Sequence, residues 1–516
     1  MSHEQLNLVV AVVAATLLVA VLAVRVATRV GLPSLLLYLA IGLILGEAGL
    51  GIQFEDFDLA RSVGFAALAL ILAEGGLTTH WPDIRPVISF AGVLATIGVV
   101  VSVLVVAVGA HLILGVDGRT AALFGAVVSS TDAAAVFAVL RRLGVRRRMA
   151  ATLEAESGFN DPTAVILVTL AASDSWSDTS PVHLVGLVLY ELVVGAAIGL
   201  AIGAIGALLV RRAALPVAGL YPIAVLAVAL LAFAVAGLVG TSGFAAVYVA
   251  GLVLGSGRLP HRTPTLAFAE GTALLAQIGL FVMLGLLASP DRLASAVLPA
   301  VVVGLLLTFV ARPLAVLSCA LPFRVPWREQ AFVSWAGLRG AVPIVLATIP
   351  ATEGFAGPEH VFDVVFLLVV VYTAIQAPTL PWVARRLGLV RSGDAHDLSI
   401  ESAPLEDAGR ELLEVSITAP SRLVGVFVDA LRLPVGASVA LVLRDGLDPA
   451  PDRYTRLRTG DRIVVVTTPQ ARRATEQRLR EVSRWGTLGR WNRGAEQLDE
   501  PEAYPLRWSV LALSRG

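Results

Sequence analysis

Two aspartates sit inside long apolar runs, Asp132 in AVVSSTDAAAVF and Asp161 in ATLEAESGFNDPTAVILV. An unpaired charge at the centre of a bilayer is costly, so ionisable groups that interrupt apolar spans mark where function is to be sought. Around the first, Ser129, Ser130, Thr131 and Asp132 are consecutive. These types favour helix caps and compete for backbone hydrogen bonds, which predicts a break in the helix. Around the second, Ser157 and Asp161 are four apart with Asn160 between them, so the three share one helical face. Glu156, one position round, reaches the same cavity. Oxygens from hydroxyls, carboxylates and freed carbonyls suit a hard monovalent or divalent cation.

Two further charges interrupt spans, Glu74 in LAEGGL and Arg339 in SWAGLRGAVPIV. Glycines on either side of Arg339 and the nearby Pro343 predict a second interrupted helix. An arginine does not titrate, so the expected role of Arg339 is a buried ion pair that holds the fold and sets the resting charge of the site. Backbone freed at membrane depth is tolerated where it lines a polar cavity, and interrupted helices near the midplane are where secondary transporters hold ions. A carboxylate in such a cavity holds a proton or a cation, but not both. That competition suffices for coupled exchange if the cavity opens to one side at a time. Asp161 is the expected carboxylate, with Asp132, Thr131 and Ser157 completing the coordination. The competing reading is that Asp161 only pairs with an arginine to join helices. Two acids with flanking hydroxyls on consecutive spans weigh against it.

The spans that position these groups dominate the chain. Of 516 residues, 57% are hydrophobic and 15% charged, against roughly 25% charged in a soluble domain; mean hydropathy is +0.81. Disorder is excluded, and 39 basic against 39 acidic residues leave no excess for a nucleic-acid partner. Runs of about 20 apolar residues, enough for a ~30 Å hydrocarbon core, recur from Leu6 to about Leu387, so the bilayer is the expected surrounding. Thirteen spans are counted, beginning near Leu6, Pro33, Val63, Val87, Ala121, Met149, Val182, Tyr221, Gly243, Thr265, Leu293, Trp327 and Val361.

Loops after odd-numbered spans carry arginine: Arg25 and Arg29, Arg85, then Arg141, Arg142, Arg146, Arg147 and Arg148. The same holds for Arg211 and Arg212, Arg258 and Arg262, Arg324 and Arg328, and finally Arg385, Arg386 and Arg391. Loops after even-numbered spans carry acids such as Glu47, Glu55, Asp56, Asp58, Asp174 and Asp178. Positive loops stay cytoplasmic, which places the amino terminus outside and the carboxyl-terminal segment inside. The single Cys319 excludes a disulfide framework and a cysteine metal site. The stretch from Leu6 to Val24 is too long for a signal h-region and lacks a basic n-region, so it reads as the first span.

From about Asp394 charges become frequent and period-2 apolar strings appear at Leu412 to Ile417, Ser438 to Arg444 and Asp461 to Thr468. A helix-periodic stretch, Leu423 to Leu431, lies between the first two. Short strands alternating with a helix predict a small α+β domain. Residues 472–484 read as a polar helix. The tail over residues 484–516, with Trp485, Trp491 and Trp508, is left unassigned.

Thr131–Asp132, ESGFND from Glu156 to Asp161, and GLRGAVP from Gly337 to Pro343, in that order over about residues 1–390, resemble the cation:proton antiporter-1 family. The resemblance implies an all-α polytopic membrane protein of thirteen helices with inverted repeats. It also implies a core domain with two crossed broken helices that moves against a dimerisation domain, and a homodimer. Asp161 would exchange cation and proton, with Thr131, Asp132 and Ser157 as ion ligands. Asn160, in place of a second aspartate, implies electroneutral one-for-one exchange. Glu74 would line the site or pair with Arg339, and Glu156 would interact with Asn160 and Arg339. Ala133, where many members have proline, together with Pro162 after the ND pair resembles the potassium/proton branch. Residues 402–483 resemble a TrkA-C type regulatory domain, whose implied partner is a small ligand; no phosphate loop is present. Transported K+ or Na+ and H+ are expected, in the plasma membrane, with no cofactor and no metal beyond the transported monovalent cation.

An intramembrane aspartyl protease also uses two aspartates on neighbouring spans, but it needs a GxGD sequence and Asp161 sits in GFND; the expectation is therefore not an enzyme. A cation channel gated by the soluble domain would need a selectivity filter, and no TVGYG-like string is present. His80, Trp81 and His261 fall in cytoplasmic loops, where histidine can sense pH, although ordinary interfacial residues are the expectation. Potassium and sodium suit the same oxygen ligands, and that choice stays open.

Overall fold

The computed structural model describes residues 2–30, 32–47, 49–132, 145, 147–173, 176, 181–257, 259–355, 357–390, 399–405, 410–417, 421–444, 451–468 and 470–487. Arg141, Arg142, Arg146, Arg258, Arg391, Asp174, Asp178, Ala133, Asp394, Trp491 and Trp508, which figure in the sequence reading, lie outside the described residues. The chain divides into a unit containing Met1–Val390 and a unit spanning Arg391–Glu502.

In the first unit the helices are α1 (His3–Val30), α2 (Ser34–Leu45), α3 (Phe57–Thr78), α4 (Ile88–Leu114) and α5 (Gly118–Ser129). There follow α6 (Arg147–Ala172), α7 (Pro181–Arg212), α8 (Leu220–Leu238), α9 (Gly243–Ser256) and α10 (Arg262–Leu287). The unit ends with α11 (Pro290–Phe323), α12 (Trp327–Trp335), α13 (Ala341–Leu346) and α14 (Pro358–Arg386). Several starts are capped by the residue types expected there. Asp56 accepts from the N–H of Leu59, Asp117 from those of Arg119 and Thr120, and Ser242 from that of Ala245.

Among the described residues, 7 helices are long and apolar enough to cross a membrane, and three shorter apolar helices accompany them. The remaining apolar runs fall short for physical reasons. Helices α5 and α12 stop early, and α6 carries Glu154, Glu156 and Asp161 within one run. Helix α1 turns nearly all its surface outward, whereas α14 is mostly buried.

Small residues set how closely the helices approach. Gly195, Gly199 and Gly203 form a stripe on α7 that meets Ser242, Ala246 and Ala250 of α9. A Cβ on Gly199 would stand 2.2 Å from the Ala246 carbonyl oxygen. Lipid is as apolar as a helix surface, so close backbone packing of this kind takes over the role of the hydrophobic effect. Long helices α4 and α11 each contain one π-helical turn, Leu94–Gly98 and Leu307–Ala311.

In the second unit, β1 (Ser399–Leu405), β2 (Arg410–Ser416), β3 (Ala437–Leu443) and β4 (Arg462–Thr467) form an antiparallel sheet in the order β1-β2-β4-β3. Leu413, Val415, Val442, Ile463 and Val465 point to one core, completed by Leu479 and Val482 of α15 (Arg472–Trp485). The helix expected over Leu423 to Leu431 is replaced by turns and one 3-10 turn at Asp429–Leu431. Gly425 takes φ +88°, which a helix does not allow, and the segment gives its hydrogen bonds to residues 453–457 instead. The N–H groups of Gly425 and Val428 bond Leu457 O and Thr455 O.

Candidate functional site

Helix α5 ends at Ser129, and residues 130–132 run extended. Residues 336–340 between α12 and α13 are likewise unwound. The two segments meet. The Asp132 N–H donates to Leu338 O at 2.8 Å, and Gly340 lies against the Asp132 carboxylate so tightly that a Cβ there would come within 1.6 Å of Oδ2. Any side chain at position 340 would force the Asp132 carboxylate out of its place. Arg339 donates from Nη1 to Ser129 O (2.9 Å) and Ser130 O (2.5 Å), and Thr373 of α14 bonds the Arg339 carbonyl at 2.7 Å. A helix end carries unsatisfied carbonyls and a partial negative charge; Arg339 supplies both the donor and the opposite charge. Arg119 does the same for α6, reaching the carbonyls of Ala171, Ala172 and Ser173.

Helix α6 faces residues 130–132. Ser157 Oγ donates to Thr131 O at 2.6 Å, and Asn160 Nδ2 donates to Thr131 Oγ1 at 2.6 Å. Asn160 Oδ1 is left buried without a hydrogen bond. Asp161, 5% exposed, accepts from Ser130 Oγ at 2.6 Å. It makes no ion pair among the described residues, although Asp132 and Arg339 lie within electrostatic reach. Asp161, Asp132, Thr131, Ser157 and Asn160 are thus brought together where these segments meet, with Ser130 as an added member. Because Pro162 lacks an N–H, the Gly158 carbonyl loses its helical donor beside them.

Two expected pairings are corrected. Glu156 takes its hydrogen bonds from Arg312 of α11, through Nη1–Oε1 at 2.5 Å and Nη2–Oε2 at 2.8 Å, both residues buried; its interaction with Arg339 is electrostatic, without a hydrogen bond, and Asn160 bonds Thr131 instead. Arg339 gives its hydrogen bonds to the α5 carbonyls rather than to Glu74, which is half-buried on α3. The expected buried ion pair at Arg339 is therefore a helix-end interaction, because free carbonyls lie closer to it than any carboxylate. Arg312 was missed in the sequence. Its signal was an arginine inside a 34-residue apolar helix, a placement that demands a buried acid.

At the loops, His80 Nε2 lies 2.8 Å from Arg262 Nη2, and the His261 ring packs on Tyr221 with centroids 4.9 Å apart.

In the soluble unit, burial opposes ionisation of Asp461. The Arg444 guanidinium (2.8 Å to each oxygen) and the Arg458 N–H (2.7 Å) outweigh it and hold the carboxyl below the usual carboxylate range.

Residues 14–386 match the family model described as sodium/hydrogen exchanger, transmembrane, and residues 412–480 match the TrkA-C domain. The chain is 37% identical over 453 residues to the K(+)/H(+) antiporter NhaP of Alkalimonas amylolytica, covering 86% of this chain and 78% of that one. It is 35% identical to the K(+)/H(+) antiporter NhaP2 of Shewanella oneidensis, covering 87% and 79%. It is 28% identical to the Na(+)/H(+) antiporter NhaH of Halobacillus dabanensis, covering 72% and 96%. The sodium proton antiporter MjNhaP1 of Methanocaldococcus jannaschii shares the fold, with TM-score 0.63 at 24% identity over 74% of this chain and 99% of that one. Taken with the contact between residues 130–132 and 336–340, these matches establish that the chain is a multi-pass membrane protein of the sodium/hydrogen exchanger family, the cation:proton antiporter-1 group, carrying a TrkA-C domain.

Proposed function

We propose that the protein is a secondary active antiporter, not an enzyme, that exchanges a monovalent cation for a proton by competition at Asp161. The observation that carries this is the state of that carboxylate. It is buried, held by one hydroxyl donor, and not locked to a guanidinium. A proton or a dehydrated cation neutralises it equally, and one carboxylate serves one of them at a time. Ser130, Thr131, Ser157 and Asp132 supply the surrounding oxygens. Because Asn160 is neutral, one cation exchanges for one proton and the cycle moves no net charge. No cofactor takes part.

Potassium is the first choice of cation, supported by the relatives of 35% to 37% identity; sodium is the second reading, favoured by the more distant relative. The membrane unit, residues 1–390, crosses the plasma membrane thirteen times in two inverted repeats with two broken helices. Its amino terminus is outside. The TrkA-C unit, residues 402–483, lies in the cytoplasm, where a small ligand gates transport, and residues 484–516 form a tail. The working form is a homodimer. Proteoliposomes loaded with a pH-sensitive dye test the exchange: potassium or sodium added alone should move protons without current, and Asp161→Ala should abolish the signal. Current carried by the cation alone would mean a channel.

A further inference from the structure

The polar stripe of α6 does not end at Asp161. Glu154, Gly158 and Asp161 recur at helical spacing, so they line one face over about 10 Å. At the far end, Glu154 is partly exposed and accepts a hydrogen bond from Thr79 Oγ1 at the end of α3. In the middle, where α6 has no side chain, Tyr248 of α9 fills the space. A Cβ on Gly158 would meet Tyr248 Cζ at 2.4 Å and the hydroxyl oxygen at 2.8 Å. The ring stands edge-on to Phe159 at 5.4 Å, and Thr79 and Glu154 face its polar end.

The Tyr248 hydroxyl is buried, and Thr79 is the hydrogen-bonding group that faces it. Its oxygen lies over Gly158, on the helix face that carries Glu154 one turn before and Asp161 one turn after. Pro162 has also removed the helical donor of the Gly158 carbonyl. A half-dehydrated cation moving along this face meets a carboxylate, then neutral oxygens, then Asp161.

We infer that Glu154, Thr79 and Tyr248 form an entry subsite for the transported monovalent cation, on the side reached from the amino-terminal end of α6. This rests on the antiporter reading and on its assignment of that side as cytoplasmic. Tyr248 closes the lane with its ring and hands the cation on with its hydroxyl.

The test uses the full-length protein in membrane vesicles of both orientations, with potassium or sodium as the sole added cation. Tyr248→Phe keeps the ring and should raise the half-saturating concentration at the cytoplasmic face about fivefold, and Glu154→Gln about tenfold, with the outer-face value moving less than about twofold. Glu154→Asp should recover part of the loss. Equal shifts at both faces, or none at either, overturn the subsite while leaving the exchanger intact. Wild-type vesicles that move no protons on addition of either cation overturn the antiporter reading, and the subsite falls with it.

Discussion

Helix α6 carries two buried acids five positions apart, and its two faces treat them oppositely. Glu156 is gripped by both arms of Arg312. Asp161 receives one hydroxyl and looks onto unwound backbone. The first has its charge fully matched and nothing left to bind with. The second has lone pairs to spare and a neutral partner that releases them at little cost. Burial alone therefore does not decide whether an acid is free to bind; the chemistry of its partner does.

That contrast can be broken by exchanging the partners' fates. Asp161→Asn should remove cation-dependent proton movement entirely while the purified protein keeps its thermal unfolding temperature. A large drop in that temperature would place Asp161 in the same structural class as Glu156. Arg312→Ala should do the converse, destabilising by about 3–5 kcal/mol because Glu156 is left buried and unpaired, with recovery in the Arg312→Ala/Glu156→Ala double variant. Thermal unfolding in detergent reads both, and a well-folded single variant would show that the pair does not hold the fold.

The TrkA-C unit offers a matched pair of its own. Asp461→Ala should weaken it by about 2 kcal/mol, since Arg444 and the Arg458 N–H lose their acceptor. The folded carboxyl titrates below its unfolded value near 3.9, so its contribution is complete above that pH and fades as pH falls through the folded value. Hydrogen exchange in β4 of the full-length protein should thus differ between wild type and variant at pH 6, and the difference should shrink below about pH 4. A difference that persisted in acid would mean packing, not charge, is at stake. The smallest effect sharpens the comparison at Asp161 itself. Ser130→Ala should change the apparent cation affinity by about fivefold, as one lost hydrogen bond predicts; an unchanged value would show that Ser130 only caps α5.

Much of this arrangement was legible in the chain. The cap-forming run Ser129 to Asp132 and the glycines around Arg339 announced unwound backbone, because those residue types are poor helix formers wherever they sit. The face shared by Ser157, Asn160 and Asp161 followed from helical spacing. Pairings were less legible. Glu156 is expected to interact with Asn160 and Arg339; Arg339 is within its electrostatic reach, but its hydrogen bonds come from Arg312 on α11, 156 positions away in sequence, and the chain offers no spacing rule for contacts between distant helices. The segment from Leu423 to Leu431 failed for a related reason. Its periodicity is genuine, but pairing with residues 453–457 outweighed helix propensity.

Local chemistry, then, is determined residue by residue. Which runs are apolar enough for lipid, where residues that disfavour helix gather, and which side chains carry a carboxylate all depend on residue type and short-range spacing. Partner choice belongs to the tertiary structure, because a buried charge is matched by whatever donor the packing brings within 3 Å or so of it. Folding decided that Arg312 neutralises Glu156, that Arg339 seals the end of α5, and that Asp161 is left with a single hydroxyl.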